Sequence, residues 1–255
     1  LPMMISVSGS FSISSIELLK SRIFFGLLLL MFLQHGVAQN TSVVGFFPTI
    51  DHSGELNKRL SYNSYLFGAL KPYASQEGSR RALYIYAEQG LSYSFNDKLS
   101  FTNSYVYERQ QPFENNARNE HRLFQQLTLK HRLNQFSLKQ RLRFDERFIQ
   151  NNQTGRYDFS HRLRYLLGGD YNFNSAFYLM YYTEVFFNTT KGAKFQFNEN
   201  WSALQLGWNI NEYNAFEFGY LFVGWILDSQ NNWFNQHYLQ TTWVSRFKNS
   251  KHKNN

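Results

Sequence analysis

The chain of 255 residues contains no cysteine. Neither a disulfide framework nor a thiolate metal site is therefore available to it. Only four prolines occur, and Pro72 and Pro112 fall in polar breaks, where a missing N–H costs no ladder bond. Beyond the first forty positions no run approaches the roughly 20 apolar residues that a membrane-crossing helix needs. No stretch holds helical spacing for long. There is no phosphate-cradling glycine run and no calcium-type acidic loop.

Aromatic residues are abundant instead: 26 Phe, 17 Tyr and 5 Trp. The mean hydropathy is nevertheless −0.48. Many aromatics with low mean hydropathy is the product of alternation, each greasy residue being followed by a polar one. The spacing predicts strands near 58–70, 80–95, 98–110, 120–133, 136–149, 156–168, 176–188, 201–210, 215–227 and 234–247. Breaks after the odd strands are long and most of those after the even strands are short, as in Asn96-Asp97 and Asn134-Gln135. Long–short alternation, with both ends on the short-turn side, is the habit of bacterial outer-membrane barrels.

The start fits export. Lys20 and Arg22 precede the eleven-residue apolar run Ile23–Leu33, and Gly36 and Ala38 supply a small-x-small site. This is a signal-peptide pattern, with cleavage expected after Ala38, and the run is too short to span a membrane. The organisation read from the sequence is a leader and signal peptide over 1–38, an N-terminal segment over 39–56, a barrel over 57–247 and a basic tail over 248–255.

The charge is +8, and nearly all of the excess lies within 118–164. A period of two sorts this region onto two faces. In "FSLKQRLRFDERF", Phe136, Leu138, Leu142, Phe144 and Phe148 share one face, and Lys139, Arg141, Arg143, Asp145 and Arg147 the other. The next strand repeats this, with Phe159, Leu163, Tyr165 and Leu167 against Asp158, Arg162 and Arg164. A soluble sandwich or lipocalin-like barrel would turn the apolar face to a dry core. A transmembrane barrel turns it to lipid and the charges inward. Strand length, loop parity and the leader favour the second, an all-β, single up-and-down antiparallel barrel of about ten strands, with eight or twelve as alternatives.

In sequence the chain resembles an uncharacterised family of outer-membrane β-barrels, domain-of-unknown-function family 2490. The likeness rests on "RLRFDERF" (141–148), "RLRY" (162–165), "EVFFN" (184–188), "LGW" (206–208) and "FGY" (218–220), and covers roughly 57–247. The resemblance implies the fold and the location and supplies no activity. An Asn-Arg pair expected at the eighth strand is replaced here by Asn200-Trp201, which removes a lumen arginine.

Inward parity collects nine bases: Arg122, Lys130, Arg132, Lys139, Arg141, Arg143, Arg147, Arg162 and Arg164. It collects six acids: Glu88, Glu108, Asp145, Asp158, Glu184 and Glu217. Buried charges must pair, and the planar fork of arginine suits pairing. The expectation is a largely plugged lumen held by an interior salt-bridge network, with Glu184 as a partner. A surplus of about three bases would remain to bind or pass small anions. Nucleic-acid binding is disfavoured by the alternation with lipid-type residues.

No catalysis is expected. The alternatives are an outer-membrane lipid hydrolase using an outward histidine, His161 or His237, and a soluble periplasmic binding barrel. Ser160 and His161 are adjacent on one strand, point to opposite faces and cannot pair with each other. His121 and His131 lie about 33 Å apart at ~3.3 Å per residue and cannot share an ion. No metal or cofactor is implied. On the last strand Leu239, Thr241, Trp243, Ser245 and Phe247 share one face and end on an aromatic, which reads as the terminal signal for the outer-membrane assembly machinery. The partners expected are that machinery, outer-membrane lipid and small anions.

Overall fold

A computed structural model of the chain describes residues 41–71, 82–189, 196–226 and 232–248. The leader and signal-peptide reading falls outside them. Eleven strands follow one another: β1 (Thr41–Glu55), β2 (Leu60–Leu70), β3 (Ala82–Ser94), β4 (Leu99–Gln110), β5 (Arg118–Leu133), β6 (Phe136–Gln150), β7 (Tyr157–Asn172), β8 (Phe177–Thr189), β9 (Gln196–Asn209), β10 (Asn214–Ile226) and β11 (Trp233–Phe247). Each pairs antiparallel with the next, and β1 closes the barrel on β11.

The extra strand corrects the reading of 39–56 as a separate segment. Pro48, together with Gly45 and Gly54, blurs its alternation. Its first inward positions, Val43, Phe47 and Thr49, are buried without charge, and an inward acid appears only at Asp51, so no continuous polar face advertises it. The count has a topological consequence. In a meander of eleven strands the first and last run the same way, so β1 and β11 pair in parallel, Thr41 beside Phe234 and Gly54 beside Phe247. The expectation of an even count, with both ends on one side, is thereby replaced. Phe247 finishes at the short-turn end and Thr41 starts at the other.

The loop parity is clear. Connections at one end have 4, 4, 2, 4 and 4 residues, and those at the other have 11, 7, 6, 6 and 6. Four of the short turns share one device, an asparagine whose side-chain oxygen accepts from the backbone amides two and three residues on. Asn57 Oδ1 accepts from Arg59 and Leu60, Asn96 from Lys98 and Leu99, Asn174 from Ala176 and Phe177, and Asn211 from Tyr213 and Asn214, all at 2.8–2.9 Å. Such Asx turns supply locally the hydrogen bonds that the ladder leaves off. The two-residue turn uses Asn134 at φ 56°, in the left-handed region that asparagine tolerates.

The wall is inverted relative to a water-soluble protein. Val44, Ile50, Leu66, Leu123, Leu127, Leu142 and Phe218 are exposed outside, while Arg122, Arg143, Arg162, Asp145, Glu120 and Glu184 are buried inside. The interior is divided. Toward β1–β3 and β9–β11 it is packed with aromatic and aliphatic side chains: Phe47 stacks on Phe67 at 4.7 Å, Phe67 on Tyr86 at 4.3 Å, and Trp201 meets Phe47 edge-on at 5.7 Å. Toward β5–β8 it is filled by charge.

Candidate functional site

The charged half is built by register. β6 offers Arg141, Arg143, Asp145 and Arg147 at alternate positions, and its neighbours place Arg122 opposite Arg147 and Arg164 opposite Arg143. Like charges placed side by side cost free energy unless acids separate them, and here acids do. Glu120 takes Arg147 through both oxygens, Nε at 2.6 Å and Nη2 at 3.0 Å, and also bonds Arg122 Nε. Arg122 Nη2 reaches Glu108 at 2.6 Å. Asp145, fully buried, accepts from Arg143 Nε at 2.5 Å and from Arg162 Nε at 3.0 Å. Glu184 binds Arg164 with two bonds of 2.8 Å and Arg141 with one of 2.7 Å. Glu88 lies 3.3 Å from Arg143, and Glu199 lies 3.6 Å from Arg162.

Six guanidinium groups thus share six carboxylates, and the network is neutral. Aromatic rings finish its desolvation: Arg143 lies 3.4 Å over Phe124, and Arg164 and Arg162 lie 4.4 and 5.1 Å from the ring of Phe186. Removing water from paired ions strengthens their attraction but makes any unpaired member costly.

Two partners escaped the sequence reading. Glu120 has the same parity as Arg122, two positions on, and this spacing was sufficient to find it. Glu199 precedes the expected start of its strand, and a register shift at Phe186/Phe187 brings it opposite Phe186. Two of the six inward acids expected from the sequence stay outside the network. Asp158 is exposed near the long-loop rim and accepts from Asn151 at 3.3 Å. Glu217 accepts from Tyr178 at 2.7 Å.

Three of the nine inward bases remain, Lys130, Arg132 and Lys139, all at the short-turn end of β5 and β6. Lys130 and Lys139 are direct ladder partners. Neither they nor Arg132 or Arg246 has a carboxylate within salt-bridge distance among the described residues. All four line an internal cavity of about 1210 Å³ that touches Asp51, Asp170 and Glu217 and also runs along the network past Arg143, Arg162 and Glu199. Asp170 is engaged by Ser137 at 2.6 Å. The missed strand β1 carries Asp51 into this space.

The other candidates lie apart. Ser160 faces inward opposite Arg147, while His161 faces outward, stacked on Phe144 at 5.1 Å and edge-on to Phe159 at 4.6 Å. His237 bonds Tyr220 at 2.6 Å on the outer wall. His121 bonds Tyr105 at 2.5 Å, also outside. Among the described residues no three His, Cys, Asp or Glu side chains gather as metal ligands do. Leu239, Trp243 and Phe247 form an exposed outer row on β11 together with half-buried Thr241.

No curated protein and no solved structure matches the chain. The profile of one family of proteins of unknown function matches residues 46–236, from inside β1 into β11. That span takes in every strand and all twelve members of the charge network, and the chain belongs to that family, DUF2490.

Proposed function

We propose that this protein is a bacterial outer-membrane barrel whose middle is closed by the arginine–carboxylate network and whose short-turn mouth binds small anions. The observation that carries the reading is the inverted wall: apolar side chains outside, ionised ones paired within. In water that arrangement would expose several hundred Å² or more of contiguous apolar surface, which a soluble monomer rarely tolerates. In a bilayer it is the ordinary arrangement, with short turns on the periplasmic side and long loops outside. Lys130 opposite Lys139 supports the anion. Lys130 and Lys139 are ladder partners with no carboxylate within salt-bridge distance among the described residues, Asp51 and Asp170 lying farther off in the same cavity. A bound phosphate or carboxylate relieves the repulsion between them.

Two measurements test this. Detergent extraction of native membranes, followed by gel mobility with and without boiling, should show a membrane-bound species whose migration changes on heating. Recovery in the aqueous fraction without detergent refutes the membrane reading. Titration of the detergent-solubilised protein with inorganic phosphate should show saturable binding that Lys130→Gln/Lys139→Gln abolishes. Equal binding by the variant refutes the assignment of the mouth.

A further inference from the structure

The outer wall carries one acid. Among outward-facing strand positions of the described residues, Glu146 is the only carboxylate, and it stands between Phe144 and Phe148 on β6. Its ladder partner on β7 is His161, and the partner of His161 on β8 is Thr189. A carboxylate, an imidazole and a hydroxyl therefore lie in one row across three adjacent strands. On the other side of Glu146 sits Leu123, 44% exposed, and around the row are Leu142, Phe148 and Phe159, all exposed. None of the three polar side chains has a hydrogen bond or ion pair among the described residues. Several outward polar groups elsewhere are engaged, Thr183 with Ser202 at 3.1 Å, His121 with Tyr105 and His237 with Tyr220.

An ionisable group facing hydrocarbon is costly and calls for a partner. We propose that this row is the interface between two copies of the chain, paired about a two-fold axis normal to the membrane that passes between Glu146 and His161. The proposal rests on the membrane reading above. The argument for a second copy is charge complementarity of the patch with itself. An isologous contact must present donors and acceptors that match their own rotated image. Acid and base side by side do this, because rotation about the axis brings Glu146 toward the partner's His161 and, reciprocally, His161 toward the partner's Glu146. A patch of one sign would not. Apolar neighbours supply close packing but little selectivity, since lipid tails cover them equally well, and polar contacts hold transmembrane partners together.

The absence of cysteine permits a clean test in native membranes of the full chain. Leu163→Cys, beside the row on β7, should form an intermolecular disulfide on oxidation. Leu66→Cys, 45% exposed on the far strand β2, should not. Adding Glu146→Leu to Leu163→Cys should weaken dimerisation about tenfold or more, the scale of losing a desolvated interfacial charge pair. The swap Glu146→His/His161→Glu should restore it, and heat-dependent gel mobility reports the fold of each variant. Equal cross-linking at Leu66→Cys, unchanged cross-linking with Glu146→Leu, or a monomer in the membrane fraction overturns the proposal. Recovery of the chain in the aqueous fraction instead sinks the membrane reading itself.

Discussion

Asp145→Asn is the sharpest perturbation of the charge network. The side chain keeps its shape and loses its charge. Asp145 is fully buried and serves Arg143 at 2.5 Å and Arg162 at 3.0 Å, with Arg164 a further 3.9 Å away. Arg164 keeps Glu184, Arg143 keeps only the longer contact to Glu88, and Arg162 keeps only Glu199 at 3.6 Å. One buried guanidinium charge is then left uncompensated, and breaking a buried pair by removing one partner costs about 3–5 kcal/mol. With a denaturant slope of about 2 kcal/mol per molar urea, the unfolding midpoint should fall by roughly 1.5–2.5 M. The assay is tryptophan fluorescence of the barrel in lipid vesicles, with unfolding and refolding branches compared. A paired change sharpens the reading: Asp145→Asn/Arg162→Met removes one charge of each sign and should recover more than half of the loss. A midpoint for Asp145→Asn within about 0.25 M of the parent, equivalent to about 0.5 kcal/mol, would refute the claim that this carboxylate neutralises the lumen.

Three further outcomes follow from the same geometry. Lys139→Gln removes an ammonium that opposes Lys130 and has no carboxylate within salt-bridge distance, so stability measured by the same urea titration should hold within about 0.5 kcal/mol or rise. Gly219→Ala should prevent refolding in a gel-mobility assay, because a Cβ there meets the Leu204 carbonyl and the Gln205 backbone. Gly68→Ala, whose Cβ meets nothing closer than 3.7 Å, should be neutral or gain about 0.5–1 kcal/mol. Phe247→Ser, at the end of the outer row on β11, should lower the amount of folded barrel recovered from native membranes while refolding into detergent proceeds unchanged.

The sequence is legible where one face is polar throughout. β6 and β7 announce themselves because charge and grease alternate over most of their length, Glu146 and His161 being exceptions, and a two-residue period assigns every side chain to a face. β1 is silent for the opposite reason. Over its first half the inward face is Val43, Gly45, Phe47 and Thr49 and the outward face Val44, Phe46, Pro48 and Ile50, and with little polarity on either side before Asp51 the alternation is lost. The same cause hides the packed half of the interior. Alternation shows that two faces exist but not that one is polar along its whole length, and Phe67, Val106, Phe124 and Leu221 are inward and apolar. Pairing across strands is a third level. Parity places Arg141, Arg164 and Glu184 inside, but their meeting depends on the stagger of three strands, which no local pattern encodes.

The division between arginine and lysine inside the barrel has a physical logic. All six bases of the network are arginine, and three of the carboxylates, Glu120, Asp145 and Glu184, each take two guanidinium groups by hydrogen bonds. A flat fork can offer one edge to one acid and the other edge to a second, so few carboxylates can bind many bases in a fixed pattern. An ammonium is a compact charge on a flexible stem, poor at bridging two acids but able to follow a ligand. Lys130 and Lys139 stand below the network, at the mouth, with no carboxylate within salt-bridge distance among the described residues. On the proposed reading, bracing the interior and receiving an anion are therefore tasks of different residues at different heights. A substitution at the mouth can abolish phosphate binding and leave the urea midpoint in place, whereas one at Asp145 must move it.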